Sequence, residues 1–309
     1  MTHPQALGWT PITTRSGRVS VPPLRLGIID PKDAGQLCVD YDYETEKHEH
    51  ALALANGVDL INADDPKNYV EAMESVGAVH WSKACDDEYN GFIKNNTWEL
   101  VDLPKGRRAL GMQWVFTTKL KEDGTVDKHK ARTVVRGDQQ RPGNDFNPNN
   151  IYAPVVGIIT LRIILSIVCI LNYELFQMDV TQAFLHATVN EEIYVKQIQG
   201  YDDGTGRVCK LLKALYGIKQ APHEWNELLH EFMKSNGWCA IESDSCVYHR
   251  LSATNQIMII AVFVDDLITG VATNDVNEYN EFKLLFMNRF TTKDLGDAKW
   301  ILKMSVQRD

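Results

Sequence analysis

The pattern of apolar and polar residues indicates folded structure from about residue 65 onward. Asp65 is placed to cap a helix whose first residue is Pro66, because proline suits the first turn of a helix. An apolar stripe at helical spacing begins at Tyr69 and continues, after a break, from Trp81 to Tyr89. This segment is therefore predicted to be helical.

From Trp98 the pattern becomes that of strands, since apolar and β-branched residues alternate with polar ones. The predicted strands are TWELVDLP, QWVFTTKL and KARTVVRG. The Asp-Gly pair within Glu122–Thr125 predicts a turn that joins the last two strands into a hairpin. The hairpin carries six cations: Lys119, Lys121, Lys128, Lys130, Arg132 and Arg136. A charge run of this kind is also compatible with a merely solvated face.

The second half of the chain mixes helices and strands. Residues 159–171 are predicted to form a buried helix, which contains Arg162 and is too short to span a bilayer. Helical spacing is also found in CKLLKALYG, in the segment that Gly237 would end, and from Asp275 to Phe290. Strands are predicted for YELFQMDV, EEIYVKQ, VYHRL, IMIIAVFV and the last segment, Trp300–Val306. Together these elements predict an α+β fold.

Composition separates a leader from this folded region. Residues 1–65 are polar, then acidic, and are predicted to be a disordered leader or linker, because they offer little apolar area to bury. Residues 1–10 have neither the basic flank nor the apolar core of a secretory signal, so none is expected there. The six cysteines form no CxxC pair, which favours free thiols in a reducing, cytoplasmic compartment. The net charge is −9, but the segment from Pro104 to Arg141 is strongly basic, so a local site for phosphate remains possible.

Two adjacent aspartates, Asp265 and Asp266, interrupt an apolar strand-like run. Neighbouring carboxylates repel, by roughly 1 to 4 kcal/mol at surface-like dielectrics. A hairpin with the pair at its tip would tolerate them. A simple solvated turn is the alternative. Asp179 also ends a strand-like run, where it could instead cap a helix. Three carboxylates from the ends of neighbouring strands would suit two Mg²⁺ ions, which prefer hard oxygen ligands.

Seven motifs, in order, resemble the reverse transcriptases of Ty1/copia-type LTR retrotransposons. They are TWELVDLP, WVFTTKLKEDGTVDKHKARTVVRG, YAPV, QMDVTQAFL, EEIYVKQ, LLKALYGIKQAP and FVDD. The resemblance implies a right-hand polymerase over residues 66–309, with fingers at about 66–155 and an antiparallel palm sheet flanked by helices at about 156–309. The thumb of the family is expected to be absent, and Lys303 stands where the family has a glycine in the primer grip.

The resemblance also implies roles for individual residues. Asp179, Asp265 and Asp266 would be catalytic metal ligands for two Mg²⁺ ions, with the Val180 carbonyl as a further ligand. Phe184 would be a steric gate against the ribose 2′-hydroxyl, or else an ordinary core residue. Gln220 would position the incoming nucleotide, and its triphosphate would be bound by Lys119, Lys130 and Arg132.

The implied function is RNA-directed DNA polymerisation, with a primed RNA or DNA template and deoxynucleoside triphosphates as partners and no membrane. The chain would be part of a larger polyprotein with integrase and ribonuclease H, inside the cell and within virus-like particles. Two alternatives stay open. One is an inactive, truncated remnant that only binds nucleic acid or a partner. The other is a nucleotidyl cyclase, which the basic hairpin, Phe184 and YGIKQAP disfavour.

Overall fold

The computed structural model describes residues 65–120, 125–302 and 304–307, together with two short strands near the N-terminus. The chain divides into two units, Met1–Tyr43 and Glu44–Asp309. The first unit contains the antiparallel pair β1 (Ile12–Thr13) and β2 (Val19–Ser20). The rest of the predicted leader, apart from Asp65, lies outside the described residues.

The second unit is an α+β fold, as predicted. Its helices are α1 (Tyr69–Glu74), α2 (Ala78–Lys94), α3 (Ile158–Ile170), α4 (Ala221–Ser235) and α5 (Val276–Arg289). Its strands before residue 200 are β3 (Trp98–Val101), β4 (Ala109–Leu110), β5 (Met112–Leu120), β6 (Val126–Val135), β7 (Glu174–Val180) and β8 (Tyr194–Val195). Those that follow are β9 (Val208–Leu211), β10 (Cys239–Ile241), β11 (Asp244–Leu251), β12 (Ile257–Phe263), β13 (Asp266–Val271), β14 (Thr292–Asp297), β15 (Trp300–Ile301) and β16 (Met304–Ser305).

A six-stranded antiparallel sheet forms the centre of this unit, in the order β10-β11-β12-β13-β7-β14. Strand alternation gives it two apolar faces. Met258, Ile260 and Val262 point to the face covered by α4 and α5, whereas Ile259 and Ala261 point to the face covered by α3. The sheet is therefore buried on both sides. Edge strand β14, which lies beside β7, was not predicted.

Helix α3 is only partly buried, so the prediction of a buried helix was wrong for half of its residues. Leu161, Ile164 and Val168 pack on the sheet. The opposite face leaves apolar side chains exposed: Ile158, Ile159, Ile163, Ile170 and, just after the helix, Leu171. Among the polar residues of this helix, only Arg162 and Ser166 lie on the exposed face, and the apolar residues beside them there weaken the periodicity from which a face can be assigned. In the described residues no helix combines the length and apolar character that a membrane crossing requires.

The basic hairpin is formed as predicted by β5 and β6, which pair from Met112↔Val135 to Leu120↔Val126. Its turn, residues 121–124, lies outside the described residues. A small mixed sheet, in the order β3-β9-β8-β4, lies in the same unit. The prediction of a helix for CKLLKALYG was wrong, since its first part is strand β9 and the rest is a turn that ends at Gly217.

Two further local predictions were wrong. Asp65 caps no helix: its carboxylate accepts a hydrogen bond from the Thr118 backbone N–H (3.1 Å), and α1 begins at Tyr69 with Asn68 as its N-cap. The last strand is divided into the short hairpin β15–β16. Lys303, between them, lies outside the described residues.

Candidate active site

The two adjacent aspartates lie at the tip of the hairpin formed by β12 and β13. Phe263 pairs with Asp266, so Val264 and Asp265 form a two-residue turn. Val264 has a positive φ of 57°, which the primed turns of tight hairpins require. The sequence prediction of a hairpin that carries the pair at its tip is confirmed.

Strand β7 brings the third aspartate to this tip. Asp179 is the register partner of Asp266 across β13, and the Val180 N–H donates to the Asp265 carbonyl at 2.7 Å. Asp179 is the penultimate residue of the strand and does not cap a helix. The fold therefore brings Asp179 to the hairpin tip, although 86 positions separate residue 179 from residue 265.

A cleft of about 280 Å³ opens between this tip and the basic hairpin. Asp179, Val180 and Asp265 line its sheet side. The hairpin wall contributes Lys128, His129, Lys130 and Arg132, and the other sides include Lys293 of β14, Tyr216 and residues of α2. Carboxylates and cations thus share one cavity, with an acidic floor and a basic wall.

The pKa of Asp265 is raised, first by burial and then by the charge of Asp179, whereas Arg132 and Lys130 act in the opposite direction. Both causes disfavour the ionised form in the absence of a cation. A carboxylate held in these surroundings is one whose charge a bound cation would stabilise.

Asp266 lies apart from the cleft. It lines a small cavity on the α3 side with Phe263 and Ile268, and its Oδ1 accepts a hydrogen bond from Gln177 Nε2 at 3.2 Å. Burial and the Asp265 charge raise its pKa to about 6, against the Gln177 hydrogen bond. The structure therefore pairs Asp179 with Asp265 in the cleft and gives Asp266 a different neighbourhood.

The predicted triphosphate ligands differ in their placement. Lys130 and Arg132 line the cleft, and the Arg132 guanidinium lies 5.5 Å from the centroid of the Tyr216 ring. Lys119 is the register partner of Lys128 on the hairpin, but it is not part of the cleft lining in the described region. Only two of the three predicted cations are thus brought to the carboxylates.

Phe184 and Gln220 are both buried. Phe184 packs on Tyr216 with ring centroids 4.6 Å apart, so it supports a residue of the wall. Gln220 accepts a hydrogen bond from Gln140 Nε2 (3.0 Å) and donates to the Asp145 carbonyl (3.1 Å) and to Glu191 (3.1 Å). The structure does not place either side chain on the cleft surface, and their roles stay predictions.

Among the cleft residues that sequence reasoning missed are Glu88, Tyr216 and Lys293. Glu88 comes from α2, and Lys293 is the register partner of Asp179 on the unpredicted strand β14. Tyr216 stands in the YGIKQAP motif, which could have drawn attention to it. Glu88 ends the acidic run Asp86-Asp87-Glu88 and Lys293 precedes Asp294, and neither pattern points to a cleft.

Within the described residues, no set of three Asp, Glu, His or Cys side chains is arranged closely enough to hold a metal ion alone. Mg²⁺ does not demand such a set, because it commonly uses one or two carboxylates and completes its shell with water and substrate phosphates. Asp179 and Asp265 supply two carboxylates on one cleft wall. This donor set fits a hard divalent cation bound together with a phosphate.

An antiparallel sheet with carboxylates at a hairpin tip, facing a basic hairpin, is consistent with a nucleotidyltransferase. The family model described as reverse transcriptase (RNA-dependent DNA polymerase) matches residues 95–309, and the chain belongs to this family. Its relatives identify it more narrowly as a reverse transcriptase domain of the Ty1/copia type of retrotransposon.

Three relatives carry that assignment. The chain is 39% identical over 255 residues to the retrovirus-related Pol polyprotein from transposon TNT 1-94 of Nicotiana tabacum, over 81% of this chain and 19% of the relative. It is 33% identical over 255 residues to that from transposon RE1 of Arabidopsis thaliana, over 81% and 17%. It is 31% identical over 229 residues to the transposon Ty1-DR5 Gag-Pol polyprotein of Saccharomyces cerevisiae, over 70% and 12%. The matched region thus spans a fifth or less of each relative.

Proposed function

We propose that this chain catalyses Mg²⁺-dependent transfer of deoxynucleotides to a primer 3′-hydroxyl on an RNA or DNA template. The observation that supports this most directly is the shared cleft of Asp179, Asp265, Lys130 and Arg132. Phosphoryl transfer depends mainly on positioning and charge stabilisation, so a preformed cavity with both charge types suits it.

The cleft residues would have different roles according to their position. Asp179 and Asp265 would hold the ions, with the Val180 carbonyl as a further ligand and Asp266 as a supporting acid. When bound, Mg²⁺ would activate the attacking hydroxyl and neutralise charge on the leaving pyrophosphate. Lys130 and Arg132 would bind the triphosphate from the hairpin side, and their charge would stabilise the leaving oxygens.

Two of the predicted substrate residues would act indirectly. Phe184 supports Tyr216 at the wall and would restrict the space near the ribose through that ring. Gln220 ties the loop at residues 140–145 to the start of α4, and would help to hold the nucleotide-binding side in shape. The assignment of residues 66–155 as fingers and 156–309 as palm belongs to this same proposal, as does an origin within a Pol polyprotein that also carries integrase and ribonuclease H.

Primer extension on poly(rA)/oligo(dT) with Mg²⁺ tests the proposal. We expect incorporation by the wild type and a loss of at least about 100-fold in Asp265→Asn, since such electrostatic groups contribute about that much. Asp297→Asn, an exposed acid on the same sheet, is the matched control and should retain activity. Equal incorporation by the wild type and Asp265→Asn would refute the role of Asp265. Salt-sensitive binding without any incorporation would instead favour the binding-only alternative.

A further inference from the structure

Helix α2 contributes a carboxylate to the cleft from outside the region that the family model matches, which begins at residue 95. Glu88 lines the cleft with Asp179 and Asp265. Burial raises its pKa, whereas its hydrogen bonds and the nearby charges of Arg132 and Lys130 lower it. A half-buried acid at the wall of a phosphate-binding cleft is costly unless its partners are specific.

Those partners lie on two different elements. Glu88 Oε2 accepts a hydrogen bond from Gln182 Nε2 at 2.9 Å, and Glu88 Oε1 accepts one from the Thr133 backbone N–H at 3.4 Å. Thr133 belongs to the basic hairpin, and Gln182 follows Asp179 by three positions. One carboxylate therefore connects α2, the hairpin and the segment that leaves the catalytic strand.

Gly91, one turn after Glu88 on the same helix, makes room for the Gln182 amide. A Cβ at residue 91 would lie 2.3 Å from both the nitrogen and the oxygen of that amide. Glu88 and Gly91 together form the contact site of the Gln182 side chain, the Gln182 seat. It combines a hydrogen-bond acceptor with a space that only glycine leaves open.

The backbone of Gln182 is itself in a strained conformation. Gln182 has φ 51° and ψ 50°, a left-handed conformation that costs a residue with a side chain free energy. Its neighbour Thr181 donates its N–H to the Thr291 carbonyl at 2.8 Å, which fixes the same segment from the other side. Strained residues persist where the surrounding contacts hold them, and they cluster at functional sites.

We propose that Glu88 is a positioning residue for the incoming deoxynucleoside triphosphate. Through the Gln182 seat it holds the backbone between Asp179 and Phe184 at a fixed distance from Lys130 and Arg132. The triphosphate side of the cleft is then formed before substrate arrives, and less affinity is lost to ordering it. This inference rests on the proposed polymerase function and adds helix α2 to its substrate site.

An exchange of the two side chains provides the test. Gln182→Glu places two carboxylates in contact and should raise the KM for deoxynucleotide at least about tenfold, with a smaller change in kcat. The double variant Glu88→Gln/Gln182→Glu reverses donor and acceptor and should recover most of that loss. The dissociation constant for primer–template should change little in either, because the contact concerns the nucleotide side.

Gly91→Ala gives a second, independent variant. The added methyl group displaces the flexible Gln182 amide, while alanine is the better helix former. We therefore expect an unchanged or higher thermal midpoint, a raised KM, and faster amide exchange at residues 181–183. A simple loss of fold would lower the midpoint instead.

The outcomes separate the two proposals. Wild-type incorporation, with the KM of Gly91→Ala unchanged or with the double variant no better than Gln182→Glu, overturns the positioning role alone. Absence of incorporation by the wild type overturns the polymerase function, and the positioning role with it. Recovery by the double variant, together with the Gly91→Ala result, supports the inference.

Discussion

At the residue scale, the position of Asp265 depends on hydrogen bonds made by its neighbours. Val264 is β-branched and yet has a positive φ of 57°, which is unfavourable for such a residue. The indole N–H of Trp225, on α4, donates to the Val264 carbonyl at 2.8 Å. Together with the Val180 N–H on the Asp265 carbonyl, this bond fixes both tip residues of the hairpin from separate elements.

We predict that Trp225→Phe lowers kcat about fivefold or more, because it removes a hydrogen bond that contributes roughly 1 kcal/mol while it preserves most of the ring packing. Trp238→Phe is the matched control. Trp238 is also buried, but its indole nitrogen has no hydrogen-bond partner among the described residues. The control should lose stability only. Primer extension and thermal melting measure both effects, and equal losses of kcat in the two variants would contradict the prediction.

The like charges at the site predict a gain in stability when one is removed. Asp265 is destabilised by burial and by Asp179, so Asp265→Asn should raise the free energy of unfolding of the metal-free protein by about 1 kcal/mol. Asp244→Asn should instead lower the free energy of unfolding, since the Asp244 carboxylate accepts hydrogen bonds from the Gly157 and Cys246 N–H groups. Urea unfolding with EDTA at neutral pH compares them. A loss of stability in both variants would show that the repulsion is unimportant.

Some of these residues could be predicted from the sequence and others could not. Asp265 and Asp266 stand out because two acids interrupt an apolar strand, and Asp179 because it ends another. Glu88 and Lys293 give no such signal, since an acidic run on a helix and a lysine on an exposed strand are both ordinary surface patterns. Their participation follows from tertiary contacts, which local pattern does not encode.

At the element scale, the largest error concerns CKLLKALYG, the segment that precedes α4. Leu211, Leu212 and Leu215 have a spacing that suits a helix, yet the segment is strand β9 followed by a turn. Long-range pairing decides the outcome, because β9 is held by β3 and β8. The hairpin β5–β6, by contrast, was predictable, since alternation and a local turn signal agree along its length.

That segment is joined to the hairpin by a close backbone approach. The Val135 N–H donates to the Tyr216 carbonyl at 2.8 Å. Gly217 has φ 96°, and a Cβ there would lie 2.1 Å from the Val135 oxygen. Gly137 is equally confined, since its Cβ would lie 1.9 Å from the Gly217 oxygen. Backbone atoms cannot move aside as a flexible side chain can, so both glycines are required here.

We predict that Gly217→Ala costs more than about 3 kcal/mol of stability or prevents folding, because a steric clash adds to the backbone strain. Gly106→Ala is the control, because it introduces the backbone strain of a positive φ without a steric clash. Gly106 has φ 84° with no atom within 4 Å of its Cβ position, so that variant should lose only about 1 to 2 kcal/mol. Denaturant unfolding gives both values. Similar losses of stability in the two variants would mean that the clash with the Val135 oxygen contributes little.

At the scale of the whole molecule, a chain of net charge −9 would have to bind a polyanion in order to act as a polymerase. Of the four cations that line the cleft, Lys128, Lys130 and Arg132 lie on the hairpin, and Lys293 lies on β14 beside Asp179. Counterion release depends on the charges that contact phosphate and not on the total. Local arrangement should therefore decide affinity, and the net charge should matter much less.

Two substitutions that change the net charge equally test this directly. Lys128 and Lys234 are both exposed lysines, but only Lys128 lines the cleft, whereas Lys234 lies in the last turn of α4. Lys128→Gln should weaken primer–template binding and reduce the slope of log K against log salt by about 0.7 to 0.9, the value for one lost phosphate contact. Lys234→Gln should leave affinity and slope unchanged, because its charge lies outside the cleft. Fluorescence anisotropy titrations between low and moderate salt give both slopes. If the two variants shift the slope equally, net charge governs binding and the cleft does not define the nucleic-acid site.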